Sequence, residues 1–185
     1  MEKPTRKGNC LWQTQSTALQ AYHDHEWGRP VNCDHILFEK ISLETLQAGL
    51  SWRTVLDKRD AIRACFKQFN INKVMVMTPQ EIQTIQKNPK VIRNPKKNQA
   101  IVHNAGIAYA IQQTHGSFAK FVYQFKPELT EPIYAVPQAA RQLCQALKAR
   151  HWQFIGNITC YSFMQAAGII NDHDLDCPIR DTILK

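Results

Sequence analysis

The chain has no apolar run long enough to span a bilayer, and its opening stretch, Met1 to Asn9, is charged with no apolar core behind it. The first absence argues against a transmembrane helix and the second against a signal peptide, so a cytoplasmic protein with no membrane partner is expected. Sustained alternation of apolar and polar residues is also missing, which argues against a sheet-built fold, and there is no low-complexity tract or detectable repeat. No Cys-x-x-Cys occurs, so none of the six cysteines, at 10, 33, 65, 144, 160 and 177, announces a metal site by close pairing. In a reducing compartment they read as buried thiols or metal ligands before disulfides. Acidic residues are the scarcer charge: 15 Asp and Glu against 23 Lys and Arg leave a formal +8. That balance suits a polyanionic partner, most simply nucleic acid, without requiring one.

At 185 residues the chain fits one well-buried core, or two closely packed helical lobes that are not independent, and is expected to act as a single unit. Apolar residues recur at spacings of three and four, which makes the fold all-α. Helices are predicted near 16–25, 35–49, 59–68, 79–87, 97–114, 117–125, 137–149 and 158–170. Thr78-Pro79-Gln80-Glu81 is a helix start, with a capping Thr, Pro at the first position and Glu three residues after the cap. Asn88-Pro89, Asn94-Pro95 and Glu131-Pro132 mark breaks. Lys87 to Lys97 carries five basic residues and no acid, and joins two predicted helices. Such a turn can aim helix-start N–H groups and the charges of Lys90, Arg93, Lys96 and Lys97 at a phosphate, or it can be a solvated loop.

Leu37, Ile41, Glu44 and Ala48 share a narrow helical stripe, so Glu44 interrupts an apolar face. An ionised carboxylate there needs a hydrogen-bonding network, a neighbouring cation, or a pocket that admits a cationic ligand. Trp12, Tyr22, Trp27 and Trp52 flank this helix and include three of the four tryptophans. They are either core or the walls of a stacking site in which a flat cationic base would lie with a carboxylate at its edge. His173 and Cys177 have the i, i+4 spacing that lets two side chains reach one ion. A closed site needs two further ligands, for which Cys10 and His23 are the best candidates, with His25, Cys33 and His35 as competitors.

Two pairs of strings carry a resemblance. They are Ala21-Tyr22-His23-Asp24-His25-Glu26-Trp27-Gly28 with Gln47-Ala48-Gly49-Leu50-Ser51-Trp52, and Cys160-Tyr161-Ser162-Phe163-Met164-Gln165-Ala166 followed by Asn171-Asp172-His173. In these the chain resembles the type I 3-methyladenine DNA glycosylases, a bacterial family related to the helix-hairpin-helix repair glycosylases, from about Cys10 to Cys177. The resemblance implies a structural zinc held by Cys10, His23, His173 and Cys177, which would clip the two ends of the chain together. It implies base recognition by Glu44, with Trp12, Tyr22, Trp27, Trp52 and Gln47 around the base and Leu50 as a wedge into duplex DNA. The implied activity is hydrolysis of the glycosidic bond of 3-methyladenine in alkylated duplex DNA by a monofunctional, monomeric enzyme that leaves an abasic site.

Five residues, at three places, depart from the family's pattern. Leu19 stands where a pocket Tyr is frequent, Thr45-Leu46 replaces a small residue and Gln, and Lys90 and Lys96 stand where hairpin glycines are expected. Glycine lets a turn adopt positive φ and bring backbone close to phosphate. These departures favour, as an alternative, a DNA-binding module that retains the zinc clip and basic surface without cutting. A helical protein-interaction domain is the third reading, against which stands a carboxylate facing an aromatic box.

Overall fold

The computed structural model describes residues 10–127 and 138–183, and every regular element among them is helical. A 3-10 turn (Leu11–Gln15) leads into α1 (Thr17–His25), α2 (Asp34–Gln47), α3 (Trp52–Asp57) and α4 (Arg59–Cys65). A second 3-10 turn (Lys67–Phe69) is followed by α5 (Ile71–Val74), α6 (Pro79–Lys87), α7 (Pro95–His115) and α8 (Phe118–Tyr123). The chain closes with α9 (Gln138–Lys148), α10 (Asn157–Ala166) and α11 (Arg180–Ile183). The expected break at Glu131-Pro132, the predicted helix start at 137 and the charged stretch Met1 to Asn9 lie outside the described residues.

Local chemistry sets most boundaries. Ser16, Ser51, Asn70, Asn94 and Ser117 each accept a hydrogen bond from a backbone N–H three residues on, which satisfies one of the donors that a helix start leaves free. Thr78 and Glu81 form the reciprocal capping box that the sequence predicts. α8 is capped from a distance as well: the Asp34 carboxylate accepts from Phe118 N (2.9 Å) and Ala119 N (2.8 Å), tying the start of α2 to the start of α8.

α2 is the central helix. Every residue from Leu37 to Leu46 is buried, because α3, α5, α7, α8 and α10 surround it. The main core gathers Leu37, Phe38 and Ile41 of α2 with Phe66, Phe69, Phe118, Leu143 and Phe163, all essentially inaccessible. Phe118 stacks on Trp152 at 5.8 Å and 9°. A smaller apolar cluster of Cys10, Tyr22, Trp27, Ala166 and Cys177, with Trp12 and Trp52 against it, brings the two ends of the described chain together.

Burying α2 all round places Glu39 and Lys40 inside the protein, where they are paired. Glu26 accepts from Lys40 Nζ (2.8 Å) and from both Arg59 Nη atoms (2.6 and 2.7 Å). Glu39 accepts from Arg59 Nε (2.6 Å) and Arg63 Nε (2.8 Å). Burial alone would raise the Glu26 pKa, but Arg59 and Lys40 outweigh it and hold the carboxyl at about 2.

Candidate active site

Glu44 lies one turn beyond Lys40 on α2 but stands outside that network. It is 7% exposed, and no hydrogen bond reaches its carboxylate from any described residue. Burial therefore dominates its chemistry and raises its pKa from 4.5 to about 8, with Lys40 pulling weakly the other way.

The carboxyl opens into a cavity of about 410 Å³. Trp12, Leu19, Tyr22, Trp27 and Trp52 supply its apolar surface, and Gln15, Gln47, Ser51, Arg53, Ser162 and Gln165 its polar lining. The aromatic rings brace one another, edge to face or tilted. Trp12 meets Trp27 at 5.6 Å and 83°, and Tyr22 lies between Trp12 (6.0 Å) and Trp52 (5.3 Å). The Lys40 ammonium sits 5.8 Å from the Tyr22 ring centre, so the charge network fixes this wall from behind. Burial, followed by the field of Glu44, keeps the Tyr22 phenol protonated.

Cys10, His23, His173 and Cys177 form a buried cluster whose ligand atoms all lie within 4.8 Å of one another. His173 Nδ1 is 3.2 Å from His23 Nε2, 3.4 Å from Cys177 Sγ and 3.7 Å from Cys10 Sγ. The far ring nitrogens are anchored: His23 Nδ1 bonds Asp24 Oδ1 (2.8 Å), and His173 Nε2 donates to the Trp27 carbonyl (3.2 Å). A carbonyl can only accept, so the proton lies on Nε2 and the Nδ1 lone pair faces the cluster. Gly28 makes room for this ring. Its φ is +78°, and a Cβ there would meet His173 Nε2 at 2.7 Å. Trp27 joins cluster and cavity, stacking on His23 at 5.9 Å and meeting His173 edge-on at 4.5 Å. The competing ligands fall away: His25 and Cys33 are exposed, and His35 Nδ1 accepts from Ile71 N.

A family profile described as methyladenine glycosylase matches residues 12–181. The chain belongs to the methyladenine glycosylase family. It is 42% identical to DNA-3-methyladenine glycosylase 1 of Escherichia coli K12 over 176 residues, covering 91% of this chain and 94% of that protein. The fold matches a solved structure addressing 3-methyladenine recognition by the Staphylococcus aureus glycosylase I (TM-score 0.86, 36% identity, 92% and 95% of the two chains). It also matches a single-residue variant of 3-methyladenine DNA glycosylase I in complex with 3-methyladenine (TM-score 0.85, 36% identity, 92% and 96%).

The departures from the family pattern sort by position. Thr45 and Leu46 are buried away from the cavity, with the Thr45 hydroxyl on the Ile41 carbonyl (3.0 Å). Leu19 does line the cavity, where it offers a methyl surface and no hydroxyl. The 88–94 loop closes without a residue at positive φ, because Asn88 Oδ1 accepts from Lys90 N (2.9 Å) and Asn94 caps α7. Glycine is therefore not required there. Lys90 and Arg93 are exposed on this loop and Lys96 on the first turn of α7, as is Leu50 (42%) on the turn after α2. Lys97 does not belong with them. It is 7% exposed and its ammonium points inward to backbone carbonyls, which corrects the expectation that it meets phosphate. Sequence reasoning missed Gln15, Ser51, Arg53, Ser162 and Gln165. Ser51, Ser162 and Gln165 lie inside the strings that carry the resemblance and Arg53 adjoins one, but their residue types gave no cue.

Proposed function

We propose that this protein is a DNA repair glycosylase that hydrolyses the N-glycosidic bond of 3-methyladenine in alkylated duplex DNA. The observation that carries this reading is the buried, unpartnered Glu44 carboxyl in an aromatic cavity. No described residue donates a hydrogen bond to that group or forms an ion pair with it, so the cavity is matched to a flat ligand that brings its own positive charge. An N3-methylated adenine does so while it remains attached to its sugar. A flipped base between the Trp12 and Trp52 surfaces would meet Glu44 and Gln47 at its edge.

The chemistry asks little of the protein. The C1′–N9 bond breaks with both electrons passing to the cationic base, which leaves neutral. Water adds to the sugar cation and loses a proton, and an abasic site remains. Glu44 acts by accepting hydrogen bonds from the base and favouring the charged, extruded nucleotide over a neutral one. No lysine amine among the described residues lines the cavity, in keeping with a monofunctional enzyme. Lys90 and Arg93, between α6 and α7, with Lys96 on the first turn of α7, would grip phosphate by charge in a helix-hairpin-helix manner, and Leu50 would fill the gap left by the flipped base.

The four-residue cluster fits zinc. Ligand atoms around a tetrahedral zinc lie about 3.3 Å apart for two nitrogens and about 3.6 Å for nitrogen and sulfur. Four of the cluster's six pairs, at 3.2 Å and 3.4–3.7 Å, match these, and all six lie within 4.8 Å. Four protein ligands leave no place for an activated water, so the ion's contribution would be to hold the Cys10 and Cys177 ends together beneath Trp27. We further propose a monomeric, cytoplasmic enzyme working as a single unit.

The test is release of free 3-methyladenine from methylated duplex DNA by the parent and by Glu44→Gln at matched folding. Release by the parent that falls by about a hundredfold or more in the variant supports the reading. DNA binding without release by either protein would leave the non-cutting alternative.

A further inference from the structure

Lys97 occupies the first turn of α7, yet its Nζ donates to the carbonyls of Leu46 (2.9 Å) and Ala48 (2.6 Å) at the far end of α2. These groups belong to the last turn and cap of a 14-residue helix, where carbonyls lack intrahelical partners and the dipole is negative. No carboxylate pairs with this ammonium among the described residues. A buried cation supported only by carbonyls fixes two segments relative to each other, because moving either leaves it unsolvated.

The two segments are those that the glycosylase reading places against DNA. Asn94 to Lys97 ends the basic loop, while Ala48-Gly49-Leu50 carries the exposed wedge and follows directly on Glu44 and Gln47. The turn has little else to hold it. Gly49 is at φ +85° with nothing within 4 Å of where a Cβ would sit, and the backbone bond across the turn runs from Leu50 N to Gln47 O (2.6 Å). We propose that Lys97 is a positioning residue that locks the Ala48–Leu50 turn to the basic loop, so that phosphate engagement and insertion of Leu50 occur as one rigid movement. This rests on the glycosylase reading and deepens it.

Lys97→Met keeps the apolar stem and removes the donors; Lys97→Arg keeps charge and donors. Each is compared with the parent for affinity toward free 3-methyladenine, read by tryptophan fluorescence, and for release of the base from methylated duplex. The Met variant is expected to bind the free base within about twofold of the parent but to release it from duplex at least about tenfold more slowly. That deficit should narrow when the methylated adenine faces an abasic gap, where no pair has to be opened, and Lys97→Arg should restore most of the duplex rate. Equal loss of free-base binding and duplex release, a deficit that persists opposite the gap, or an unchanged duplex rate would overturn the assignment. If the Met variant does not fold, Lys97→Gln, which retains an uncharged amide NH2 group, is held to the same comparison. No release by the parent overturns the glycosylase reading and this proposal together; parent release with a uniform Lys97 deficit overturns this proposal alone.

Discussion

If Glu44 must be ionised to receive a cationic base, the enzyme's pH profile is set by one buried group. With its pKa raised to about 8, the carboxyl is about 1% ionised at pH 6 and about half ionised at pH 8. The kcat/KM for base release should therefore climb nearly tenfold per pH unit between 6 and 7.5 and level off above about 8.5. In Glu44→Gln the remaining activity should not show this rise. The same group governs stability with a definite sign. Between its ordinary 4.5 and about 8 the folded chain holds a proton that the unfolded chain has lost, so this contribution is fully present below 4.5 and disappears as pH rises through about 8. At about 1.4 kcal/mol per pH unit the span corresponds to an upper figure of about 5 kcal/mol. Glu44→Gln should accordingly be more stable than the parent at pH 8.5 and nearer to it at pH 5, measured by denaturant midpoint. A profile flat from pH 6 to 9, or the same slope in both proteins, would refute the idea that a neutral resting carboxyl is ionised to admit the base.

The metal cluster predicts one zinc per chain by elemental analysis, and Cys177→Ser should lose most of it with a fall in melting temperature. Gly28→Ala should also lower zinc retention, because its Cβ would meet His173 Nε2 at 2.7 Å and its φ of +78° costs an L residue about 1–2 kcal/mol. Full zinc content in that variant would show that His173 does not need its observed position. Arg59→Met should destabilise the fold by up to about 3–5 kcal/mol in denaturant titration, since it leaves the buried Glu39 with Arg63 alone and Glu26 with Lys40 alone. Replacing Lys90, Arg93 and Lys96 with Ala should lower the slope of log affinity against log salt by about one for each phosphate no longer neutralised. An unchanged slope would remove the loop from the DNA interface.

Helices whose start signal and apolar period lie in the same short stretch were legible in the sequence. α6 runs Pro79–Lys87 as read from its capping box, and α1 follows directly on the Ser16 cap. The short helices α3, α5 and α11, of six, four and four residues, were not predicted. One turn is too little to express a period, and a helix that short is held by what packs against it. The predicted helix 59–68 is α4 up to Cys65 and then a 3-10 turn, in which Lys67, Gln68 and Phe69 all take positive φ. Phe69 is fully buried, so tertiary packing accounts for backbone geometry that no local pattern encodes.

The site was legible wherever a residue contradicts its surroundings. Glu44 is conspicuous in an apolar stripe, and the structure keeps the contradiction by giving it no hydrogen-bond partner among the described residues. Glu39 and Lys40 sit just as deep on the same helix, but their partners Glu26, Arg59 and Arg63 come from other parts of the chain, and spacing along one helix cannot reveal them. Lys97 misled for the same reason. In sequence it is one of five basic residues in an acid-free stretch, and composition makes all five equivalent. What separates it is the direction set by the first turn of α7, which turns its side chain toward the end of α2 while Lys96 stays in solvent. A charge's role is thus fixed by what the fold brings to face it: carboxylates hold Arg59 in the interior, carbonyls hold Lys97 there, and the cavity leaves Glu44 to be matched by a cation from outside.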